Sequence, residues 1–279
     1  MMNYYAALFW IVLALGSSAF AFFWLYRYRH DRALKAIDTL PFPDRYEMIL
    51  ARTPHFLRLA PDDRESLRRS VMRFIHTKEF VGIGIGVDDE MRVLIAFYAS
   101  LLLLRKNAPL PFPGLSSILI YPDSVVIEQN FSDGGIVTDE EVAIDGQSAN
   151  GTVVITWDAA RSEAFTMGPD NLILHEFAHE MDFMDGEIDG VPPMDKKYYD
   201  GWVDVLDSEF DMLDTLVRAN APLGKYDLFG PEASLDEAEF FAVATERFFG
   251  ESAVFRENFP ALYNQFSIFY GIDTAELFA

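Results

Sequence analysis

Residues 4–25 of this chain, YYAALFWIVLALGSSAFAFFWL, contain no charged side chain. As a helix, the segment spans roughly 33 Å at about 1.5 Å per residue, which matches a bilayer core of about 30 Å. A helix that is apolar around its whole circumference does not suit the surface of a soluble domain, and a buried helix in such a domain is the weakest alternative. The segment therefore predicts one transmembrane helix over residues 1–26.

The flanks of this segment predict its orientation. Aromatic side chains stand at both ends, where their amphipathic rings favour the membrane interface. A basic cluster follows the apolar run: Arg27, Arg29, Arg32 and Lys35. Positive charge beside a span favours the cytoplasmic side. The sequence thus predicts a single-pass protein of the inner (cytoplasmic) membrane, with a juxtamembrane linker over 27–43 and the remaining chain facing the cytoplasm.

A cleaved signal peptide is the competing interpretation, because AFA at 19–21 resembles a small-residue cleavage site. A signal peptide carries its positive charges before the apolar run, whereas MMNYY at the start of this chain has no Lys or Arg. The order of the charges favours the uncleaved anchor.

The composition of the rest of the chain restricts its partners and its metal ligands. The first 80 residues hold 12 of the 22 Lys and Arg residues but only 8 of the 44 Asp and Glu residues. The remainder is strongly acidic and repels phosphate backbones, so we expect no direct binding of nucleic acid. The chain has no cysteine. Any zinc ion must therefore be held by His, Asp or Glu.

Periodicity and turn residues give residues 44–279 an α+β order in which helices dominate. Strands are predicted in SSILIYP at 116–122, SVVIEQN at 124–130 and GTVVITWD at 151–158, with a Pro-Asp turn between the first two. Helices are predicted over 44–53, 60–77, 88–104, 168–184, 195–219, 235–249 and 253–269. The segment 88–104 begins with acidic residues and contains Arg92, which favours a buried core helix over a second membrane span.

The motif HEFAH at 175–179 lies in the apolar helix predicted over 168–184. On a helix, His175 and His179 share a face, so both imidazoles can reach one metal ion. Glu176 is adjacent to the first ligand and can reach a water molecule beside the metal without binding the ion itself. This is the H-E-x-x-H arrangement of zinc peptidases, in which the glutamate acts as general base. We therefore predict one Zn²⁺ per chain.

A third protein ligand is expected, since catalytic zinc usually has three. The helix around EAEFFAVATERFF at 237–249 offers Glu239 and, two turns later, Glu246. Glu180 points about 100° away from His179 around its helix, and Asp182 is better placed to orient a ligand imidazole than to reach the ion. The other three histidines, His30, His55 and His76, are expected at the surface.

Together these segments resemble the Mlc titration factor A family of zinc-dependent peptidases and, more distantly, the catalytic domain of anthrax lethal factor. The similarity lies in HEFAHEMDFMDG at 175–186, in the 237–249 helix, in the strand ending VVITWD, in ILIYPDSVV at 118–126, and in the segment 78–104. The resemblance covers about residues 40–265. It implies a zincin-like metallopeptidase domain, which we place at 44–279.

The resemblance also implies roles for individual residues. Matched by motif, the zinc ligands are His175, His179 and Glu239, and Glu176 is the general base. Asp182 and Glu246 are then candidates for support of the ligand imidazoles. The family further implies hydrolysis of peptides, aminopeptidase-like on short substrates, and in its best-known member the binding of a sugar-regulated transcriptional repressor. The strand over 151–157 would border the cleft and could pair with an extended peptide.

The sequence departs from the family in two places. The family's soluble type lacks the N-terminal membrane segment. The family also places a tyrosine before the third ligand, where this chain reads KYDLFGPEASLDEAE at 225–239, with Phe229 before Gly230. Tyr226 is the candidate to replace that tyrosine. Two functions are therefore predicted: a membrane-anchored zinc peptidase that acts on a peptide or protein substrate, or a protein that binds a transcriptional regulator and whose catalysis is vestigial.

Overall fold

The structure is a computed structural model that describes residues 4–106, 110–123, 125–128, 141–144, 148–149 and 151–278. The chain divides into two compact units, Met1–Pro41 and Phe42–Ala279. Helices lie at α1 Tyr4–Asp38, α2 Asp44–Leu50, α3 Pro54–Arg58, α4 Pro61–Thr77, α5 Asp89–Leu102, α6 Trp157–Ala164, α7 Leu172–Asp182, α8 Lys196–Arg218, α9 Glu237–Gly250, α10 Ser252–Asn258, α11 Pro260–Tyr270 and α12 Thr274–Leu277. Strands lie at β1 Glu79–Gly82, β2 Ser117–Tyr121, β3 Val125–Glu128, β4 Glu141–Ile144, β5 Ser148–Ala149 and β6 Thr152–Thr156.

The first unit is built on α1, a single helix that continues through the basic cluster to Asp38. The apolar side chains described in its first 25 positions are exposed, among them Phe9, Trp10 and Leu15. In the part of the chain that is described, α1 is the one helix long and apolar enough to cross a membrane. Its length and composition fit a membrane span, and a signal sequence near an N-terminus has the same properties.

The second unit is mostly helical and contains a small sheet in the order β1-β2-β6-β5. The strands β1, β2 and β6 run parallel, and the short β5 runs antiparallel along the start of β6. Ile118 and Ile120 of β2 are fully buried, as are their neighbours Val153 and Ile155 of β6. The alternate residues of β2 and the first two of β6 are partly exposed, whereas Thr156 at the end of β6 is buried. One face of the sheet therefore carries the core.

Helix α5 forms the centre of the helical layer. It is capped by Asp88, whose carboxylate accepts the N–H of Met91 at 2.9 Å. Every residue from Val93 to Leu102 is buried, and the helix packs against α4 and α7. The prediction of a buried core helix here, rather than a second membrane span, is confirmed by this burial.

Helices α7 and α9 pack against each other in antiparallel directions. The C-terminal half of α9 contacts the residues that precede α7, and its first turn contacts the loop that follows α7. Gly250 at the end of α9 is so close to Gly168 that a Cβ atom there would lie 1.9 Å from the Gly168 oxygen. The two helices therefore meet over their whole length, and this places side chains of α9 beside those of α7.

The strands predicted at 116–122 and 124–130 are present as β2 and β3, but they lie in different sheets: β2 belongs to the parallel sheet and β3 pairs with β4. The helix predicted over 253–269 is two helices, broken at Phe259, because Pro260 has no N–H to continue the first one. Helix α6 follows β6 directly and was not predicted, since the strand was expected to continue to Asp158 and no turn separates the two elements.

Candidate metal centre

Helix α7 carries the HEFAH motif and begins at a defined cap. The side-chain oxygen of Asn171 accepts the N–H of Leu174 at 3.0 Å, and Glu163 on α6 accepts the N–H of Leu172 at 2.6 Å. The first N–H groups of a helix have no partner within the helix. Here the carboxamide of Asn171 and the carboxylate of Glu163 accept two of them. With the first turn fixed, His175 and His179 fall on one face, as their spacing predicts.

The two histidines and Glu239 of α9 converge on one point. The Nε2 atoms of His175 and His179 are 3.2 Å apart. One Glu239 oxygen lies 3.4 Å from His175 Nε2, and the other lies 3.2 Å from His179 Nε2. One donor atom from each residue falls within 4.8 Å of the other two. All three residues are partly buried, so the group keeps some exposure to solvent.

The spacing of these atoms fits a zinc ion. Two atoms that bind one tetrahedral zinc at about 2.0–2.1 Å stand roughly 3.3 Å apart. The 3.2 Å between the two imidazole nitrogens is close to that edge, and each imidazole nitrogen has a different oxygen of Glu239 at 3.2 or 3.4 Å. Two imidazole nitrogens and one carboxylate oxygen are also a donor set that catalytic zinc uses, and it leaves one position open. The residues present therefore fit the metal.

Glu246 orients His175 from behind. One oxygen of Glu246 is 2.9 Å from His175 Nδ1, and the other accepts the N–H of Asn171 at 2.6 Å. A carboxylate at this distance holds the proton on Nδ1, so the lone pair of Nε2 is directed toward His179 and Glu239. A single side chain of α9 thus fixes both the ring of a candidate ligand and the start of its helix.

The charges of the group favour a cation between its members. Burial lowers the pKa of His175, but its contacts with Glu239 and Glu246 outweigh burial and raise that pKa to about 10. The contact with His175, and then that with His179, holds the pKa of Glu239 far below its usual range. The carboxylates therefore attract positive charge to the point where the three residues converge.

The other acidic residues of α7 have different surroundings. Glu176 is almost fully buried and interacts electrostatically with His175 beside it. Glu180, four residues later on the same face of the helix, is also buried and interacts electrostatically with Lys78. The electrostatic partner described for Glu176 is therefore a candidate ligand, whereas the partner described for Glu180 is a lysine.

Asp182 is completely buried at the end of α7. One of its oxygens accepts the N–H groups of Asp189 at 3.0 Å and Gly190 at 2.8 Å. Burial raises the pKa of Asp182 to about 6, against the opposing effect of the Gly190 hydrogen bond. The hydrogen bonds described for Asp182 fold the following loop and do not reach an imidazole.

Tyr226 lies in a short 3-10 turn at Gly224–Leu228. Its hydroxyl donates to Glu209 of α8 at 2.5 Å, and its ring packs against Phe259. The contacts described for Tyr226 do not include His175, His179 or Glu239, so the structure does not bring this residue together with the others. Its predicted catalytic role stays a prediction.

The remaining histidines differ in exposure. His76 is exposed, as expected, and the side chain of His30 lies outside the description. The expectation for His55 was wrong, because this residue is only 1% exposed. Its ring nitrogens contact the Tyr98 hydroxyl and the Phe249 oxygen, both at 3.2 Å. Two hydrogen bonds from distant parts of the chain make the burial of this polar ring possible.

Two residues that support the centre were not found by sequence reasoning. Glu163 gave no signal, because nothing in its local sequence ties it to a helix nine residues later. Arg247 follows Glu246 in α9, and its sequence position does not indicate its partners. Its guanidinium donates to Leu228 O at 2.6 Å, to Asp170 at 3.0 Å and to Pro169 O, so it fastens the segment before α7 to α9.

A helix with His-Glu-x-x-His beside a carboxylate from a second helix is the arrangement expected of metal-dependent peptidases. Comparison with known proteins agrees. The family described as "Glucose-regulated metallo-peptidase M90" matches residues 26–271. The chain belongs to this family of metallopeptidases, and the resemblance seen in the sequence is confirmed. The matched region begins where the uncharged N-terminal segment ends.

Individual relatives cover nearly the whole chain. An uncharacterized protein of Synechocystis sp. is 32% identical over 271 residues, which cover 94% of this chain and 96% of the relative. The protein named Mlc titration factor A of Cronobacter sakazakii is 30% identical over 258 residues, which cover 90% and 91%. That of Klebsiella pneumoniae is 30% identical over 236 residues, which cover 82% and 86%.

Proposed function

We propose that this protein is a membrane-anchored zinc peptidase with a zincin-like catalytic domain. The observation that carries the proposal is the convergence of His175, His179 and Glu239 at contacts of 3.2–3.4 Å, with Glu176 beside them. Membership in a metallopeptidase family supports the reaction class. A zinc ion held by these three residues would supply Lewis-acid activation of water and of the peptide carbonyl.

The side chains of the protein take the remaining roles. Glu176 is the general base that removes a proton from the attacking water and delivers it to the leaving amine. Its burial, at 2% exposure, keeps bulk water from competing for that proton. Glu246 holds the proton of His175 on Nδ1, so the opposite nitrogen stays available to the metal.

The sheet edge beside α7 supports binding of an extended peptide. Gly151 O accepts an N–H from Ser116 on the β2 side, so alternate residues of β6 direct their backbone groups to the outer edge. Within the described residues, β5 pairs only with Thr152 and Val153 along this edge. No described residue pairs with the backbone groups of Val154 on this edge, so a substrate strand is proposed to pair with them.

Tyr226 is the part of the proposal that requires movement. As the candidate donor to the carbonyl oxygen, it would have to exchange Glu209 for the substrate. The variants Tyr226→Phe and Glu209→Gln disturb the same hydrogen bond from its two ends. A catalytic role for the hydroxyl predicts that Tyr226→Phe lowers turnover much more than Glu209→Gln does.

The N-terminal helix supports the anchored form. The apolar part of α1 is exposed, and the basic cluster follows it in the same helix. Both features suit a helix that leaves the membrane on the cytoplasmic side, so we place the catalytic unit in the cytoplasm.

The names of the relatives favour a second function. Proteins about 30% identical to this chain are named for titration of Mlc. A protein of this family could therefore bind a transcriptional regulator of that kind, with weak or vestigial hydrolysis. Two results together would favour this function. The wild-type chain would show no measurable peptidase activity, and the Glu176→Gln variant would bind the regulator as tightly as the wild type does.

One experiment tests the peptidase proposal. The full chain is purified in detergent, its zinc content is measured, and a peptide library with free and acetylated N-termini is offered with and without chelator. We expect about one zinc per chain and hydrolysis that is lost with chelator and restored by Zn²⁺. Preference for free N-termini would establish the aminopeptidase-like activity. Absence of bound metal, or hydrolysis that chelator does not affect, would exclude the proposal.

A further inference from the structure

The loop between α7 and α8 is folded by the last residue of α7. Asp182 accepts the N–H groups of Asp189 and Gly190, so the chain turns back toward the helix it has just left. Because Asp182 is fully buried, these two hydrogen bonds are shielded from water. The position of Gly190 is therefore set from α7, the helix of the HEFAH motif.

Gly190 meets α9 with its main chain. Its φ is +74°, and a Cβ atom there would lie 2.5 Å from Glu237 O and 3.1 Å from a Leu206 methyl group. Only a residue without a side chain can approach Glu237 so closely. Glu237 is the first residue of α9 and stands two positions before Glu239.

Two further contacts fix this junction. The indole Nε1 of Trp202 donates to Gly190 O at 3.0 Å, and the ring is buried against Phe241 of α9. At the start of α9, the carboxylate of Asp236 accepts the N–H of Glu239 at 2.8 Å. The backbone of Glu239 is thus held from within α9, while the first turn of α9 is held against the loop that Asp182 positions.

We propose that Gly190 is a positioning residue for Glu239, because it lets the loop after α7 touch the first turn of α9 backbone to backbone. This contact sets the distance between Glu239 and the two imidazoles of α7. The inference rests on the assignment of Glu239 as the third metal ligand in the proposed function. Any side chain at position 190 pushes the first turn of α9 away from α7 and moves the Glu239 carboxylate off the imidazoles.

Zinc affinity of the full chain in detergent, measured by competition with a chelator, tests this role. We expect Gly190→Ala to weaken zinc binding by about 10- to 100-fold, the range found when groups behind metal ligands are changed. Trp202→Phe keeps an aromatic ring but removes the donor to Gly190 O, and it should weaken binding less, in the same direction. Trp202→Phe therefore tests the same contact if the Gly190→Ala variant does not fold.

The matched control is Gly271→Ala. Gly271 has a similar φ of +70° and a Cβ there would lie 3.0 Å from Arg105, but it ends α11 and not the metal helices. This variant should lower the melting temperature of the metal-free protein and leave zinc affinity unchanged. A loss of affinity that merely follows loss of stability would appear in both glycine variants.

A double-mutant cycle separates positioning from a general effect. If Gly190 acts through Glu239, Gly190→Ala should change zinc affinity less than about threefold in a Glu239→Gln background. The inference would be overturned, and the proposed function left intact, by either of two results. One is an equal loss of zinc affinity from Gly190→Ala in the wild-type and Glu239→Gln backgrounds; the other is wild-type zinc affinity in Gly190→Ala. If the effect of Gly190→Ala on zinc affinity depends on Glu239 as expected but the wild-type chain hydrolyses no peptide, the proposed function is overturned and the inference stands. A wild-type chain that binds no zinc would overturn both.

Discussion

Glu246 of α9 contacts both His175 and the residue that caps α7, the helix of His175. One carboxylate oxygen of Glu246 lies 2.9 Å from His175 Nδ1, and the other lies 2.6 Å from the backbone nitrogen of Asn171. The ring of a ligand and the backbone that carries it are thus fixed by the same group. Any change in Glu246 disturbs both at once.

Glu246→Gln leaves one acceptor oxygen where two are needed. We expect zinc affinity to fall by about 10- to 100-fold, as for other changes behind metal-ligating histidines. Competition with a chelator measures the change, and Glu257→Gln at the exposed end of α10 is the matched control. Unaltered affinity in Glu246→Gln would show that His175 is oriented by other contacts.

Glu239→Ala removes a proposed ligand outright. We expect a larger loss of zinc affinity than for Glu246→Gln, together with loss of hydrolysis, because two imidazoles alone do not complete the metal site. Metal content after dialysis and turnover of a peptide substrate measure the two effects. One tightly bound zinc per chain and normal turnover in this variant would assign the third ligand elsewhere, with Glu246 and Asp182 the next residues to test.

Glu176→Gln separates chemistry from metal binding. The amide keeps the shape of the side chain but cannot take a proton, so turnover should fall by at least about 100-fold. Zinc content and melting temperature should stay close to wild type, since Glu176 is not a proposed ligand. Glu187→Gln, at an exposed position in the loop that follows α7, is the control. Equal turnover in Glu176→Gln and wild type would remove this residue from the mechanism.

His55 makes the protein sensitive to acid. Burial lowers the pKa of His55 to about 4 from 6.5, so below pH 6.5 the unfolded chain takes up a proton that the folded chain does not. The stability linked to this residue is complete above pH 6.5 and is lost as pH falls toward 4, by about 3 kcal/mol in total.

His55→Gln keeps a donor toward Phe249 O but does not titrate. We expect the wild type to lose about 3 kcal/mol more than this variant in the free energy of unfolding between pH 7 and pH 4. Denaturant unfolding of both chains in chelator gives the difference, because metal release then makes no contribution. Parallel pH curves for the two proteins would show that His55 does not govern the effect.

Membrane orientation is tested with reporters. The basic cluster after the apolar part of α1 predicts that a reporter fused after Ala279 is active only if it functions in the cytoplasm. Activity of a reporter that works only outside the cytoplasm would reverse the orientation. A mature N-terminus near Phe22 would show instead that the segment is cleaved.

Local signals were enough to predict part of the fold and the candidate site. The i, i+4 spacing of His175 and His179 requires only one turn of helix, and α8 and α9 begin and end within a few residues of their predicted bounds. The burial of α5 followed from its apolar composition. In each case the information lies within a few turns of chain.

The rest depends on contacts between distant segments. The pairing of β2 with β6 joins residues about 35 apart, and no residue near β2 in the sequence indicates that partner. Glu246 reaches His175 across 71 residues, and His55 is buried by Phe249 across 194. A local sequence pattern does not predict contacts between residues this far apart. The contact of Glu246 with His175 and the burial of His55 are therefore seen only in the folded chain.

The antiparallel pairing of α7 and α9 has a consequence for the motions of the motif helix. Gly250 contacts Gly168 before α7, and Gly190 contacts Glu237 after α7. Neither end of α7 can therefore separate from the core while α9 stays in place. A helix fastened at both ends does not fray. The backbone amides of α7 should then exchange their hydrogens with solvent as slowly as those of the deepest core, only when the whole unit opens.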